Sequence, residues 1–259
     1  MRPAHWFAGA LLYATIVQPA PARETTLLIN SFMPPAHPIN TRVLKPWSLD
    51  VYKATEGRVR VFVAPSSLAP PQAQRDAVTR GIVDGAYMFH GLMSKQVQLP
   101  QLAHLPLINT TARGSSIALW RTHEKFFAPV DEYKDIHVIS LFTFAPGLIY
   151  GIRKPITTVD DLKGTRMYAL PGVPARLLAA TGAGVVAEPA ARSHELISSG
   201  TVDAFAGYPV TDALSFKTAS YARDVMSLPG HLTVSSFVFF VSKKKWNELS
   251  EPDRAAITR

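Results

Sequence analysis

The sequence predicts an α/β protein made of two lobes that contain similar strand–helix units. Segments with strand and helix character alternate along most of the 259 residues, as in sheets with helical crossovers. One phrase occurs twice, as Gly81-Ile82-Val83-Asp84-Gly85 and Gly200-Thr201-Val202-Asp203-Ala204, where a helix-ending glycine precedes a strand. The copies lie in different halves of the chain, so they predict two lobes whose strand ends meet at a shared cleft.

The first half contains the clearer strand–helix–strand units. Arg58 to Val63 alternates basic and apolar residues over most of its length, as a strand does. Leu44, Trp47 and Val51 share one face of a helix. The predicted strands cover residues 25–32, 58–63, 86–89 and 137–144, and the predicted helices cover 44–54, 72–80 and 115–127.

The second half repeats this organisation with shorter segments. Gly182 and Gly200 end two predicted helices, because glycine readily takes the left-handed conformation that follows a helix. The predicted strands cover residues 149–152, 166–169, 202–206 and 237–241, and the predicted helices cover 174–180, 193–199 and 244–259.

The composition excludes several classes of site. The chain has no cysteine, which rules out disulfides, thiolate zinc sites and cysteine nucleophiles. Hydrophobic residues make up 47% and charged residues 18%, as in an ordinary globular protein. The net charge of +8 is spread along the chain without a nucleic-acid-binding motif. We therefore predict no nucleic-acid partner. No histidine has metal-ligand spacing with another ligand residue, and we predict no cofactor.

Residues 1–22 are predicted to form a cleaved secretory signal peptide. Arg2 gives a positive start, Trp6 to Val17 is an uncharged apolar run, and Ala20-Pro21-Ala22 presents small residues to a signal peptidase. The alternative is a membrane anchor, but a span needs about 20 apolar residues. Cleavage near Ala22 would leave an exported chain that begins at Arg23.

A set of ordered motifs points to one family. The most specific is Asp160-Asp161-Leu162-Lys163-Gly164-Thr165-Arg166-Met167-Tyr168, a turn that leads into a short strand. The others are Ser31-Phe32-Met33-Pro34-Pro35-Ala36-His37-Pro38, Gly57-Arg58-Val59-Arg60-Val61, Gly81-Ile82-Val83-Asp84-Gly85, Lys154-Pro155-Ile156 and Gly200-Thr201-Val202-Asp203. In this order the chain resembles the periplasmic solute-binding proteins of TRAP transporters, the DctP-type family, over nearly all of its mature length.

The resemblance implies a two-lobed periplasmic binding protein fold of type II-like build. Mixed sheets flanked by helices would enclose a ligand cleft between the lobes. The implied boundaries are 23–145 plus 234–259 for lobe I and 146–233 for lobe II, with crossing strands near 142–146 and 234–241. Such a protein lies in the periplasm, captures a small organic solute by lobe closure and delivers it to the membrane permease subunits of a TRAP transporter. It is not an enzyme.

The resemblance also implies positions for the ligand site. In the family, a second-lobe arginine grips the ligand carboxylate through two parallel hydrogen bonds, but the matching residue here is Tyr168. Leu148 matches a second basic position, and Gly207 or Tyr208 matches a frequent asparagine. The remaining mapped residues are Ser31, Phe89, His90, Glu188 and Phe237.

This predicted pocket is aromatic and poor in positive charge, which leaves two interpretations open. The four mapped aromatic side chains could surround a small amine or a neutral or aromatic solute, because each aromatic face attracts a cation by about 0.5–2 kcal/mol. Alternatively, Arg166 or Arg153 swings into the pocket and a carboxylate is still bound.

Three further hypotheses compete with this function. An exported two-lobed hydrolase would need a nucleophile with a base, or a metal, and the motifs supply neither. A binding protein of another transporter class would share the fold but not the ordered motifs. The third is a degenerate copy without a working ligand site. Relatives continue with long helices past Arg254, so we expect either a truncated sequence or a shortened member of the family.

Overall fold

The computed structural model of the chain describes residues 24–108 and 111–258. It contains two five-stranded sheets, each flanked by helices, which confirms the predicted two-lobed α/β class. We call the first sheet with its helices the first lobe, and the second sheet with its helices the second lobe. The predicted signal peptide lies outside the described residues.

The first sheet has the strand order β2-β1-β3-β10-β4. Its strands are β1 (Thr25–Asn30), β2 (Val59–Val63), β3 (Gly85–Phe89), β4 (Ile136–Thr143) and β10 (Ser236–Ser242). β1 pairs in parallel with β2 and β3, while β10 runs antiparallel to β3 and β4. Leu27, Ile29 and Val59 are fully buried on this sheet, as the alternation of apolar residues requires.

The second sheet has the strand order β7-β6-β8-β5-β9. Its strands are β5 (Leu148–Gly151), β6 (Arg166–Ala169), β7 (Gly184–Ala187), β8 (Ala204–Tyr208) and β9 (Asp224–Met226). β6 pairs in parallel with β7 and β8, and β5 is antiparallel to β8 and β9. β7 and β9, with four and three residues, were not predicted from the sequence.

Eight α-helices lie among the described residues. They are α1 (Lys45–Ala54), α2 (Gln74–Thr79), α3 (Ala112–Thr122), α4 (Val173–Ala180), α5 (Ser193–Ser198), α6 (Val210–Ser215), α7 (Lys243–Glu248) and α8 (Glu251–Ile257). Wider π-helical turns extend two of them, Ile39–Leu44 before α1 and His123–Phe127 after α3. Within the described residues, no helix combines the length and apolar character needed to cross a bilayer.

The predicted final helix is interrupted between α7 and α8. Ser250 is extended there, and its hydroxyl accepts a hydrogen bond from the Asp253 N–H at 3.3 Å. Pro252 lies in the first turn of α8, where its missing N–H is not needed. The cap and the proline therefore start a new helix where the sequence pattern suggested a continuous one.

Two chain segments connect the lobes side by side. After β4, the Phe144 N–H donates to the Ser235 carbonyl and the Gly147 N–H donates to the Thr233 carbonyl, both at 2.9 Å. These hydrogen bonds join the outgoing and returning segments between the two sheets. A paired crossing of this kind is suited to hinge motion.

The aspartates of the repeated phrase link neighbouring strands, while its glycines, Gly81 and Gly200, follow the ends of α2 and α5 with positive φ angles of 72° and 71°. The Asp84 carboxylate accepts a hydrogen bond from the Leu28 N–H at 2.8 Å and so links β1 to the start of β3. The Asp203 carboxylate binds Arg166 at 2.8 and 2.9 Å, and Arg153 at 2.9 Å. Both carboxylates connect neighbouring strands, because the phrase lies at strand starts rather than at helix starts.

Candidate functional site

A small cavity lies between the two lobes. Its empty volume is about 330 Å³ including its mouth, and the space that can hold the centre of a water-sized molecule is about 20 Å³. The lining residues are Phe32, Met33, Pro71, Phe89, Leu92, Leu170, Pro189, Ala190, Asp212, Ser235 and Phe237. Both lobes contribute, so the cavity is the candidate functional site.

The strand directions explain why these residues meet. Phe32 follows β1, Phe89 ends β3, Leu170 follows β6, and Pro189 follows β7. Asp212, in α6, follows β8. The carboxyl ends of parallel strands are where open α/β sheets bind ligands, and here the ends from two sheets face each other.

Aromatic rings form the first-lobe wall of the cavity. The rings of Phe89 and Phe237 are 5.6 Å apart, and the Phe237 ring is 4.4 Å from that of Phe144. Behind them, His104 stacks on Phe89 at 5.2 Å. These separations are typical of favourable ring pairs, so the rings pack against one another in an apolar wall.

A buried polar network supports this wall. His90 contacts the Ser236 hydroxyl at 2.8 Å and the Tyr133 hydroxyl at 2.7 Å, and His104 Nε2 contacts the same serine hydroxyl at 2.7 Å. Burial lowers the pKa of His90 well below its usual range and that of His104 to about 3. Both rings are therefore neutral at physiological pH and hold the start of β10 in place.

One side-chain contact bridges the two lobes beside the cavity. His37 Nε2, in the loop after β1, lies 3.2 Å from Asp212 Oδ1. Both residues are 3% exposed, and the His37 ring stacks on Phe144 at 5.7 Å. The contact joins the first-strand loop to α6 across the cleft.

Among the residues predicted from the family resemblance, Phe89 and Phe237 line the cavity. His90 is buried behind it in the polar network. Tyr168 is fully buried, and its hydroxyl donates to the Glu188 carbonyl at 3.0 Å. Burial, with a smaller contribution from the neighbouring Tyr208, raises the Tyr168 pKa well above its usual value, which keeps it uncharged.

The other predicted residues surround the cavity without lining it. The Ser31 hydroxyl contacts the Tyr87 hydroxyl at 3.0 Å in the first lobe. Leu148 pairs with Tyr208 between β5 and β8. The Gly207 carbonyl accepts a hydrogen bond from the Ser235 hydroxyl at 3.2 Å. A role for any of these residues in ligand binding stays a prediction.

Arg153 and Arg166, the two candidate replacements for the family's arginine clamp, do not line the cavity. Arg166 begins β6, whereas Leu170 reaches the cavity beyond the other end of that strand, about 13 Å away at 3.3 Å per residue. Arg166 and Arg153 are about half exposed and are both held by Asp203. The geometry disfavours the interpretation in which one of them swings into the pocket.

Several lining residues were not identified from the sequence. Leu170, Ala190 and Ser235 carry no chemical signal, and only the three-dimensional fold brings them to the cavity. Asp212 did have a signal, because it is a carboxylate shortly after a buried strand. The position of that strand's carboxyl end at the cleft was the missing information.

The described part of the chain holds no group of three or more histidine, aspartate or glutamate residues placed to bind a metal. A larger groove of about 470 Å³ lies on the first lobe and is lined by Trp47, Phe142 and Phe239 among others. No residue of the second lobe lines this groove. The inter-lobe cavity is therefore the better candidate for ligand capture.

Comparisons with known proteins agree with this architecture. The family model described as bacterial extracellular solute-binding protein, family 7 (DctP) matches residues 29–259. The chain is 51% identical over 248 residues to the outer membrane transporter protein TsaT of Comamonas testosteroni, covering 96% of this chain and 73% of that protein.

Solved structures show the same fold. A TRAP periplasmic solute-binding protein from Bordetella bronchiseptica with bound (R)- and (S)-mandelate has a TM-score of 0.87 and 31% identity, over 91% of this chain and 74% of that one. A marine metagenome TRAP solute-binding protein specific for aromatic acid ligands, in complex with 3-hydroxybenzoate, has a TM-score of 0.85 and 26% identity over the same shares. The chain belongs to the bacterial extracellular solute-binding proteins of family 7, the DctP family.

Proposed function

We propose that this protein is the periplasmic solute-binding component of a TRAP transporter and captures a small aromatic solute between its lobes. It delivers that solute to the membrane permease subunits. The observation that carries the proposal is the cavity at the facing strand ends, lined from both lobes and walled by phenylalanine rings.

The aromatic wall supports an aromatic solute in particular. Phe32, Phe89 and Phe237 present three rings to one small volume, where an aromatic solute can make offset or edge-to-face contacts. Two structural relatives above 25% identity hold mandelate and 3-hydroxybenzoate, both of which contain a benzene ring. The ring is the part of those ligands that this cavity is suited to recognise.

Lobe closure would provide the capture step. In this arrangement of the lobes, the cavity offers about 20 Å³ to the centre of a water-sized molecule. One water needs about 10–15 Å³ by the same measure, so the cavity accommodates about one water molecule. A benzene-sized solute therefore has to enter while the lobes are apart. The paired segments around Phe144 and Gly147 supply the hinge for that motion.

The proposal assigns residues 1–22 to a signal peptide that is removed on export. Lobe I comprises 23–145 plus 234–259, and lobe II comprises 146–233, so each contains one of the two sheets. The protein acts by binding and release instead of catalysis. This assignment is supported by its family and by a cavity wall whose described residues offer only Asp212 and Ser235 as polar side chains.

Thermal unfolding with a panel of solutes tests the proposal. A ligand that binds only the folded protein stabilises it by RT ln(1 + [L]/Kd), about 2.7 kcal/mol at 100 times Kd. We expect a rise in Tm with benzoate, benzyl alcohol or benzylamine, and no rise with succinate. A rise with succinate and none with the aromatic solutes would contradict the proposal, and no rise with any solute would favour a degenerate copy.

A pair of phenylalanine variants locates the binding. Phe237→Ala removes a ring from the cavity wall, whereas Phe126→Ala removes a ring that is 60% exposed on the surface. We expect the first variant to abolish the ligand-induced rise in Tm and the second to retain it. Equal responses of the two variants would place the binding elsewhere.

A further inference from the structure

Among the described residues that line the cavity, Asp212 is the one with an acidic side chain. It lies in α6, is 3% exposed and faces a first-lobe wall of phenylalanine rings. A carboxylate in such surroundings needs hydrogen bonds or a positive partner to offset its desolvation. The identity of its partners therefore decides what the cavity accepts.

The histidine that contacts Asp212 is electrically neutral. The Ile39 N–H donates to His37 Nδ1 at 3.1 Å. A backbone N–H can only donate, so Nδ1 carries a lone pair and the ring proton resides on Nε2. His37 Nε2–H then donates to Asp212 Oδ1 at 3.2 Å. The contact is a hydrogen bond from a neutral ring, which leaves the negative charge of the carboxylate uncompensated.

The described residues provide no further partner that would neutralise this charge. The other side-chain hydrogen bond to Asp212 comes from the Thr211 hydroxyl at 3.3 Å and also reaches Oδ1. Among these residues, no hydrogen bond is formed to Oδ2, and no lysine or arginine nitrogen lies within 4.0 Å of the carboxylate. One oxygen of a deeply buried carboxylate thus stays available at the cavity wall.

The surrounding tyrosines respond to this negative charge. Burial chiefly raises the pKa of Tyr208 to about 12, and the Asp212 charge contributes in the same direction. The same charge also raises the pKa values of Tyr87, Tyr150 and Tyr168, after the larger effect of burial. The field of Asp212 therefore reaches both lobes around the cavity.

From this geometry we infer that Asp212 is the specificity-determining residue of the cavity and selects aromatic solutes that carry a cationic nitrogen. The inference rests on the proposed function. A ligand ammonium would donate to Oδ2, compensate the charge and lie beside aromatic rings that attract cations. A ligand carboxylate at the same place would face a like charge.

Three probes of similar shape and different charge test this inference. They are benzylamine as the cation, benzyl alcohol as the neutral donor and benzoate as the anion. Calorimetry on the full chain at neutral pH should give an affinity for benzylamine at least about tenfold above that for benzoate, with benzyl alcohol between them. A tenfold change is what loss of one charge-assisted hydrogen bond produces.

Two matched carboxylate variants separate specificity from structure. Asp212→Asn keeps the shape of the side chain and an oxygen that accepts a hydrogen bond from His37. Asp203→Asn is the control, because it removes a carboxylate that precedes β8, whereas Asp212 follows that strand. We expect Asp212→Asn to reduce the benzylamine-to-benzoate affinity ratio by at least about tenfold, and Asp203→Asn to leave that ratio unchanged.

The outcomes are distinct. If the unsubstituted protein binds benzoate as tightly as benzylamine, or more tightly, the inference is overturned while the proposed aromatic solute stands. If Asp212→Asn weakens all probes by the same factor, Asp212 only joins the lobes through His37, and the inference is again overturned. Binding of none of the three probes overturns both the inference and the proposed function.

Discussion

The approach of two glycines across the cleft predicts a strong effect of one added methyl group. Gly91, after β3, and Gly172, before α4, lie in different lobes, and a Cβ built on Gly172 would be 3.0 Å from the Gly91 Cα. A Cβ built on Gly91 would lie well inside 3.0 Å of the Pro171 carbonyl oxygen of the second lobe. Gly91→Ala should therefore hold the lobes apart.

The magnitude follows from the atoms involved. Ordinary contacts begin at 3.4 Å, so the main chains must separate by more than about 0.4 Å. The methyl group would also press on the Phe89 ring, which can turn, whereas the Pro171 oxygen belongs to the backbone and cannot. Overpacking of this kind costs about 1–3 kcal/mol. Because the clash with Pro171 exists only when the lobes are closed, the ligand Kd should rise about 5- to 150-fold.

Calorimetry measures this effect with the aromatic solute that raises Tm most. Gly184→Ala is the matched control, because Gly184 is exposed and its added Cβ would have its nearest neighbour, the Thr165 carbonyl oxygen, at 4.0 Å. We expect the control to bind within about twofold of the unsubstituted protein. A Kd for Gly91→Ala that also stays within twofold would refute the reasoning, since closure would then not bring Gly91 against Pro171.

Two further predictions concern stability. Burial lowers the pKa of His104 from 6.5 to about 3. Below pH 6.5 the unfolded chain gains a proton on His104 that the folded protein does not gain. The free energy of unfolding should therefore fall by about 2 kcal/mol between pH 7 and pH 5 because of His104. His104→Gln, which keeps an acceptor for the Ser236 N–H, should flatten that dependence in urea unfolding, and an unchanged slope would show that another group is responsible. Tyr168→Phe removes the hydrogen bond to the Glu188 carbonyl and should lower the free energy of unfolding by about 1–2 kcal/mol. The control Tyr52→Phe, at a residue 41% exposed, should change it by less than about 0.5 kcal/mol, and equal losses would argue against the buried hydrogen bond.

Helices and strands with a clear local sequence pattern could be predicted from the sequence. The alternation in β2, the apolar face of α1 and the glycines that end the helices all depend on neighbours a few residues away, so they could be located before the structure was known. Val210–Ser215 and Asp224–Met226 are short, and their burial depends on distant strands. Such segments have no local pattern from which to predict them.

Some residues of the candidate site were likewise predicted from the sequence, and others were not. Phe89 and Phe237 were predicted from motifs and lie in the cavity wall. Asp212 was missed, although it is the residue on which the proposed specificity depends. Its significance arises from His37, which is 175 positions away in the sequence and 3.2 Å away in the fold.

The sequence by itself determined the family, the two-lobed α/β class and the absence of cysteine chemistry, because ordered motifs and residue types are properties of the chain. It also led to the prediction that Tyr168 stands where the family has its arginine. Only the tertiary structure showed that Arg166 begins β6 and, like Arg153, pairs with Asp203, and that the Asp212 carboxylate lies in the cavity wall. The physical reason is that charge selectivity depends on distances and on burial, and these are set by the packing of two sheets whose strand ends face each other.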